Sequence, residues 1–188
     1  PQGGTIYLTA ADASGMMVSF IQSNYMGFGS GIVVPGYGVS LQNRGHGFTL
    51  DPTRENLVGP GKRPFHTIIP AFLMKDGQPQ MSYGVMGGDM QPQGHLQTLV
   101  RMLDYRQQPQ AACDAPRWRY AGGIVNNEAG MPESTVQGLR ALGHQVQPFA
   151  DSYQDYGAGQ FIWRLGDPAV DGYAAASDPR RDGQAVGF

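Results

Sequence analysis

Two local patterns in this sequence could take part in breaking an amide bond. Thr5 follows Gly3-Gly4 and opens the run Ile6-Tyr7-Leu8-Thr9-Ala10-Ala11-Asp12. A threonine hydroxyl is a weak nucleophile unless a base takes its proton, and a free α-amine on the same residue is such a base near neutral pH. Chemistry of this kind requires scission of the Gly4–Thr5 bond, because an amide nitrogen cannot accept the proton. In the uncleaved chain Thr5 Oγ could itself attack the Gly4 carbonyl in an N→O acyl shift, and flexible glycines would help that bond reach a strained geometry. The other reading is a plain β-former at the head of a strand. Gly87-Gly88 is the second pattern. Attack on an amide creates a tetrahedral oxyanion, and backbone N–H groups on glycines can approach it closely. The alternative is a bend that ends a strand. Arg44 has a guanidinium able to grip a carboxylate in bidentate fashion, but no motif of its own. His46 and His66 do not have the spacing of a metal motif, and no metal or cofactor is expected.

These residues need rigid elements behind them. Ile6, Leu8 and Ala10 alternate with Tyr7, Thr9 and Ala11, which predicts a strand; Asp12 to Gly15 reads as a turn and Met16 to Gln22 as a returning strand. Gly27-x-Gly29-x-Gly31 lacks phosphate-loop spacing and reads as a tight turn before Ile32-Val33-Val34-Pro35, with a short strand over Val39 to Leu41. Gly59-Pro60-Gly61-Lys62-Arg63 also fails as a phosphate loop, since Arg63 stands where Ser or Thr would be needed. Gln42 to Pro64 is expected to be irregular, a length usually reserved for functional loops. Thr67–Met74 and Gln80–Met86 flank Lys75-Asp76-Gly77-Gln78, a hairpin signal. A helix is predicted after Pro92, with Leu96, Leu99, Val100 and Leu103 on the face that covers a sheet. A second helix is predicted from Pro132 to Leu142, ended by Gly143. Phe161-Ile162-Trp163 and Tyr173 to Ala176 read as closing strands.

Composition narrows the classes. The chain has 188 residues, a formal net charge of −2, 28 glycines, 14 prolines and one cysteine, Cys113. Near-neutral charge gives no general attraction to nucleic acid or anionic membranes. Cys113 cannot form an intrachain disulfide and reads as a small packed apolar residue. No apolar run approaches the roughly 20 residues of a membrane-spanning helix. A cytoplasmic and a periplasmic location both remain open. One domain over residues 1–188 is expected, rich in β-structure and turns.

From Gly4 onward the chain resembles the small, catalytic subunit of the gamma-glutamyltranspeptidase family. Thr5 with its strand, Phe28-Gly29-Ser30-Gly31, Pro60-Gly61-Lys62-Arg63-Pro64, Lys75-Asp76-Gly77, Gly84-Val85-Met86-Gly87-Gly88, Asp114-Ala115-Pro116-Arg117 and Ala176-Ser177-Asp178-Pro179-Arg180 carry the likeness in order. It implies an α+β N-terminal-nucleophile hydrolase fold, an αββα sandwich with two antiparallel sheets and covering helices. It also implies a precursor that cuts itself before Thr5, leaving residues 1–4 ahead of the cut, and an N-terminal large subunit as partner that contributes an arginine to acyl binding. By position, Thr5 is the nucleophile, Ser23 the hydroxyl that bonds it, and Gly87 and Gly88 the oxyanion pair. Substrate contacts fall at Tyr25, Arg44, His66 and Thr67. The acidic residue that holds a glutamyl α-amine is replaced by Gly47. The resemblance therefore implies an autoprocessing acyl-transfer enzyme favouring carboxylated acyl amides, cephalosporin side chains among them. A true γ-glutamyltransferase or glutathione hydrolase, and a non-catalytic binding module, are the alternatives.

Overall fold

The computed structural model describes residues 4–149 and 156–188, so Pro1, Gln2 and Gly3, which were expected to precede the cut, lie outside the described residues. The elements run β1 (Thr5–Ala11), β2 (Met17–Ser23), β3 (Val33–Val34), β4 (Val39–Ser40), a 3-10 turn (Arg44–Gly47), β5 (Ala71–Lys75) and β6 (Gln78–Met86). They continue with α1 (Met90–Leu103), α2 (Pro109–Asp114), β7 (Trp118–Ala121), β8 (Ile124–Asn127), α3 (Glu133–Ala141), β9 (Gln145–Pro148), β10 (Ala158–Arg164) and β11 (Tyr173–Ser177). The fold is α+β, with antiparallel pairing everywhere among the named strands except β8–β9.

A four-stranded antiparallel sheet in the order β11-β10-β6-β5 forms the centre. The period-2 alternation of β6 gives it two different faces. Met81, Tyr83 and Val85 point into a core with Met102 of α1, Cys113 of α2 and Phe161 of β10; the Tyr83 and Phe161 rings stack at 6.1 Å. Ser82 and Gly84 face the other way, toward the β1–β2 ribbon. There Thr9 Oγ1 meets Ser82 Oγ, and the Tyr7 ring lies so close to Gly84 that a Cβ there would sit 2.6 Å from it. The Tyr7 hydroxyl bonds Ser19 Oγ at 2.7 Å, and burial pushes its pKa up to about 12. The ribbon is thus docked through a polar seam, and its register pairs Thr5 with Ser23 at its open end.

Local chemistry accounts for the turns. Asp12 Oδ1 accepts the N–H of Ser14 at 2.9 Å and that of Met16 at 3.2 Å, which closes the first hairpin. Asp76 and Gly77 carry φ of 50° and 74°, the left-handed pair that a two-residue hairpin needs. The expected strand over Val39 to Leu41 is Val39–Ser40 and pairs with Val33–Val34.

The first helix exists, but its buried face follows its leucines only in part: Leu99 packs against the core. Leu96 and Leu103 are 56% and 47% exposed, whereas Met90, Gln91, Gly94, His95, Gln97, Thr98 and Met102 are buried. The reason is that polar side chains on α1 serve unpaired backbone. His95 Nε2 accepts the Val85 N–H at 2.8 Å, beyond the end of β5, so its proton sits on Nδ1 and burial lowers its pKa to about 4. Gln97 both donates to Trp118 O and accepts from Trp118 N, and Gln93 does the same with Tyr120. Two glutamines one turn apart thereby cover the edge of β7 as a strand would. β7 and β8 pair antiparallel and β8 and β9 parallel, three strands that the sequence patterning did not mark.

Two of the motifs that carried the family resemblance meet in the interior, away from the reacting residues. Arg117 bonds Asp178 at 2.6 Å, Arg180 bonds Asp178 at 3.1 Å, and Arg180 bonds Glu128 at 2.5 Å, with every one of these side chains at 8% exposure or less. Burial alone would raise the Asp178 carboxyl, but Arg117 and Arg180 outweigh it and hold it below the usual carboxylate range. This network ties the chain after β11 to the end of α2.

Candidate active site

Thr5 stands at the open end of the ribbon because β1 begins there and its register partner is the last residue of β2. Thr5 Oγ1 donates to Ser23 Oγ at 2.9 Å, and Ser23 Oγ also accepts the Tyr25 N–H at 2.9 Å. With one proton arriving from the backbone, the serine hydroxyl is oriented as an acceptor for Thr5. Tyr25 adopts φ of 76°, a left-handed conformation uncommon for a bulky residue and often found at functional sites.

A cleft of about 1130 Å³ opens here, and Gly4, Thr5, Ser23, Tyr25, Thr67, Gly87 and Gly88 all line it. Gly87 and Gly88 leave the end of β6 with φ of 142° and 57°. Their carbonyls accept the N–H groups of Met90 and Gln91 and so begin α1. Both glycines sit at the positive end of a 14-residue helix, a setting that favours negative charge. Gly87 also has no room for a side chain, since its Cβ would fall 2.8 Å from Gly157 Cα. The cleft therefore joins a hydroxyl held by a second hydroxyl to a helix-start glycine pair.

The expected substrate contacts divide. Thr67 lines the cleft and is buried at 7% exposure. Arg44 does not reach the cleft surface: it is 4% exposed and donates Nη1 to Thr67 Oγ1 at 2.8 Å and Nη2 to Ser23 O at 3.4 Å. Its guanidinium carbon lies 5.2 Å from the centre of the Tyr25 ring, and burial lowers its pKa. The cation expected to grip a carboxylate directly is set one layer back, behind Tyr25 and Thr67. His66 is exposed and outside the cleft lining, with Nδ1 accepting the Ile68 N–H at 3.3 Å. The His46 ring lies 6.3 Å from that of Tyr25. At Gly47 an added Cβ would touch only Phe65 O at 3.6 Å and Pro64 Cβ at 3.9 Å. Among the described residues no three His, Cys, Asp or Glu side chains come together as a metal site.

Sequence reasoning missed the opposite wall. Arg119, Gln160, Arg181, Asp182 and Gly183 line the same cleft. Arg181 to Gly183 directly follow the Asp178-Pro179-Arg180 motif, so the motif marked the segment while its cleft-facing residues came just after it. Gln160 carried no local signal, since a lone glutamine in a strand has no pattern.

The chain is similar to known proteins in sequence and in fold. The family model described as gamma-glutamyltranspeptidase matches residues 1–188. The chain is 40% identical to a glutathione hydrolase-like YwrD proenzyme of Bacillus subtilis, covering 98% of this chain and 36% of that protein. It is 37% identical to an oxamate amidohydrolase proenzyme of Klebsiella pneumoniae, covering 99% and 36%. It thus spans about a third of the length of these relatives. Among solved structures, a cephalosporin acylase from Bacillus halodurans superposes with a TM-score of 0.88 at 52% identity, over 97% of this chain and 34% of that one. A gamma-glutamyltranspeptidase chain from Pseudomonas nitroreducens superposes with a TM-score of 0.78 at 25% identity, over 97% of both chains. The profile match over the full sequence, together with a threonine and a glycine pair facing one cleft, means that the chain belongs to the gamma-glutamyltranspeptidase family.

Proposed function

We propose that residues 1–188 are the catalytic portion of an autoprocessing amidohydrolase that acts on carboxylated acyl amides. The observation that carries this reading is the 2.9 Å bond from Thr5 Oγ1 to Ser23 Oγ in a cleft shared with Gly87 and Gly88. In maturation Thr5 Oγ attacks the Gly4 carbonyl, the Gly4–Thr5 C–N bond breaks to free the α-amine and leave an ester, and water then hydrolyses that ester to release the Gly4 carboxylate and the Thr5 hydroxyl. The freed α-amine then takes the Thr5 hydroxyl proton as Oγ attacks the substrate carbonyl. The N–H groups of Gly87 and Gly88 hold the oxyanion, and the amine passes its proton to the leaving nitrogen as the C–N bond breaks. Water, deprotonated by the same amine, cleaves the acyl ester and returns the hydroxyl. Ser23 positions Thr5 Oγ.

A preference for a carboxylate without an α-amine is supported by two features. Gly47 offers no anion for an ammonium, and the Arg44 charge stands behind Tyr25 and Thr67, where it favours an acyl carboxylate resting on the Thr67 hydroxyl. Relatives named oxamate amidohydrolase and cephalosporin acylase agree with such a substrate class. His66, exposed and outside the cleft lining, is given no contact with the acyl group in this reading. The partner is the N-terminal portion of the same precursor, consistent with relatives that are proenzymes about three times as long.

The test uses the full-length precursor. Mass spectrometry should find a mature chain starting at Thr5, and p-nitroaniline should be released from a glutaryl anilide faster than from a γ-glutamyl one. Arg44→Ala should raise KM for the glutaryl substrate by about tenfold, the scale of a nearby charge acting through the Thr67 hydroxyl rather than by direct contact. Faster release from the γ-glutamyl anilide would favour a transpeptidase. An intact Gly4–Thr5 bond and no acyl-enzyme with any probe would favour a binding module.

A further inference from the structure

Gln160 stands out on the unassigned wall of the cleft. On β10 it is paired with Gly84 of β6 on one side and Ser177 of β11 on the other. The Tyr7 ring occupies the space above Gly84, so the Gln160 side chain stands beside Tyr7, on the face that meets the ribbon. A Cβ built at Gly183 would fall 2.4 Å from Gln160 Nε2, which places the end of the carboxamide directly against the backbone after β11. That backbone is held in place by Arg180 on Asp178 and Glu128. The carboxamide is thus located by the ribbon, the sheet and the C-terminal segment together.

Its hydrogen-bonding state differs from that of the glutamines on α1 and α2, which brace the fold. Gln91, Gln93, Gln97 and Gln110 each bind backbone groups. Among the described residues the Gln160 carboxamide makes no hydrogen bond, although it lines the cleft with Thr5 and Tyr7. With Nε2 against Gly183, the carboxamide keeps donor and acceptor capacity unused at the edge of the cleft where substrate would lie.

Direction along the ribbon assigns which half of a substrate it meets. Tyr25 follows β2 beyond the Thr5–Ser23 rung, and Tyr7 with Gln160 lies two residues back on the other side. An amide with its carbonyl over Thr5 Oγ sends its acyl and amine halves to opposite sides of the nucleophile. Resting on the acyl assignment above, which puts the carboxylate toward Tyr25 and Thr67, we propose that Gln160 is a specificity-determining residue for the amine half. It selects leaving groups that carry a polar carbonyl or carboxamide next to the reacting nitrogen, through Nε2–H donation and Oε1 acceptance.

The experiment compares two substrates of the matured full-length protein with the same acyl group and isosteric amine halves, glutaryl-glycinamide and glutaryl-isobutylamide. Wild type should favour the glycinamide in kcat/KM by about tenfold, the modest ratio expected from one hydrogen-bonded pair. Gln160→Met, close in shape and unable to make these bonds, should bring the ratio near one by slowing the glycinamide alone. Because the ratio is internal, it is independent of how much variant folds. Hydrolysis of the shared glutaryl-enzyme should proceed at the wild-type rate. An unchanged ratio, or equal losses on both substrates, would overturn the role of Gln160. Wild type that takes up no glutaryl group from the anilide would overturn the parent reading and this one with it, a result distinguishable from acylation with an unaltered ratio.

Discussion

Thr5 and Ser23 are bonded hydroxyl to hydroxyl across the terminal rung of a two-stranded ribbon. Their separation is fixed by strand register, and a one-residue slip would put the two side chains on opposite faces. Thr5→Ala should abolish maturation and lower turnover at least about a thousandfold, as losses of a nucleophile do. Ser23→Ala should keep self-cleavage detectable and cost about ten- to a hundredfold in kcat, with KM little altered. Gel analysis of precursor conversion and anilide kinetics check both; full activity of Thr5→Ala would remove the threonine from the chemistry.

The two glycines before α1 should respond differently to the same substitution. Gly87→Ala meets Gly157 Cα at 2.8 Å and forces a φ of 142° on alanine, whereas at Gly88 a Cβ has open space and a φ of 57°. Gly88→Ala should cost about 1 kcal/mol of stability from left-handed strain, and Gly87→Ala clearly more. Thermal unfolding measures the difference, and equal melting temperatures would contradict it.

His95 makes stability depend on pH. Its folded pKa of about 4 lies below the ordinary value of 6.5, because burial and the Arg117 charge disfavour the imidazolium. The unfolded chain therefore binds this proton first. The contribution is fully present above pH 6.5 and is lost as pH falls from 6.5 toward 4, at up to about 1.4 kcal/mol per pH unit. His95→Gln, with an amide oxygen to accept from Val85, should flatten that slope in urea unfolding at pH 7.5 and 5. Parallel slopes in the two proteins would exclude His95 as the source.

Asp178 holds two arginines where water does not reach. Asp178→Asn leaves Arg117 and Arg180 with a neutral partner and should cost about 3–5 kcal/mol, the usual result of breaking one side of a buried ion pair. Loosening Arg180 should also free the segment through Gly183, so Gln160-dependent discrimination should fall in whatever protein still folds. Denaturant unfolding and the two-substrate ratio would report these separately.

Much of this molecule is written in short stretches of chain. Alternation over Thr5 to Ala11, the aspartate turn at Asp12, the Asp76-Gly77 hairpin and the closing strands are set by steric and hydrogen-bonding preferences that act over a few residues, and these put Thr5 at the head of its strand. The motif order, read as a family resemblance, supplied the class of chemistry. What the local pattern could not supply is which side chains turn inward once helix, sheet and ribbon meet. The leucine stripe of α1 obeyed the helical period, yet apart from Leu99 the inward positions went to residues such as His95 and Gln97, with Gln93 at the margin, because Val85 of β6 and the edge of β7 lacked backbone partners. Arg44 has the composition of an open anion grip, but Tyr25 and Thr67 close over it, and only three-dimensional packing sets that depth. Gln160 acquires meaning from Tyr7, Gly84 and Gly183, residues distant in sequence that share a location through sheet order. Local propensity is a property of neighbours along the chain, whereas exposure and reach are properties of neighbours in space.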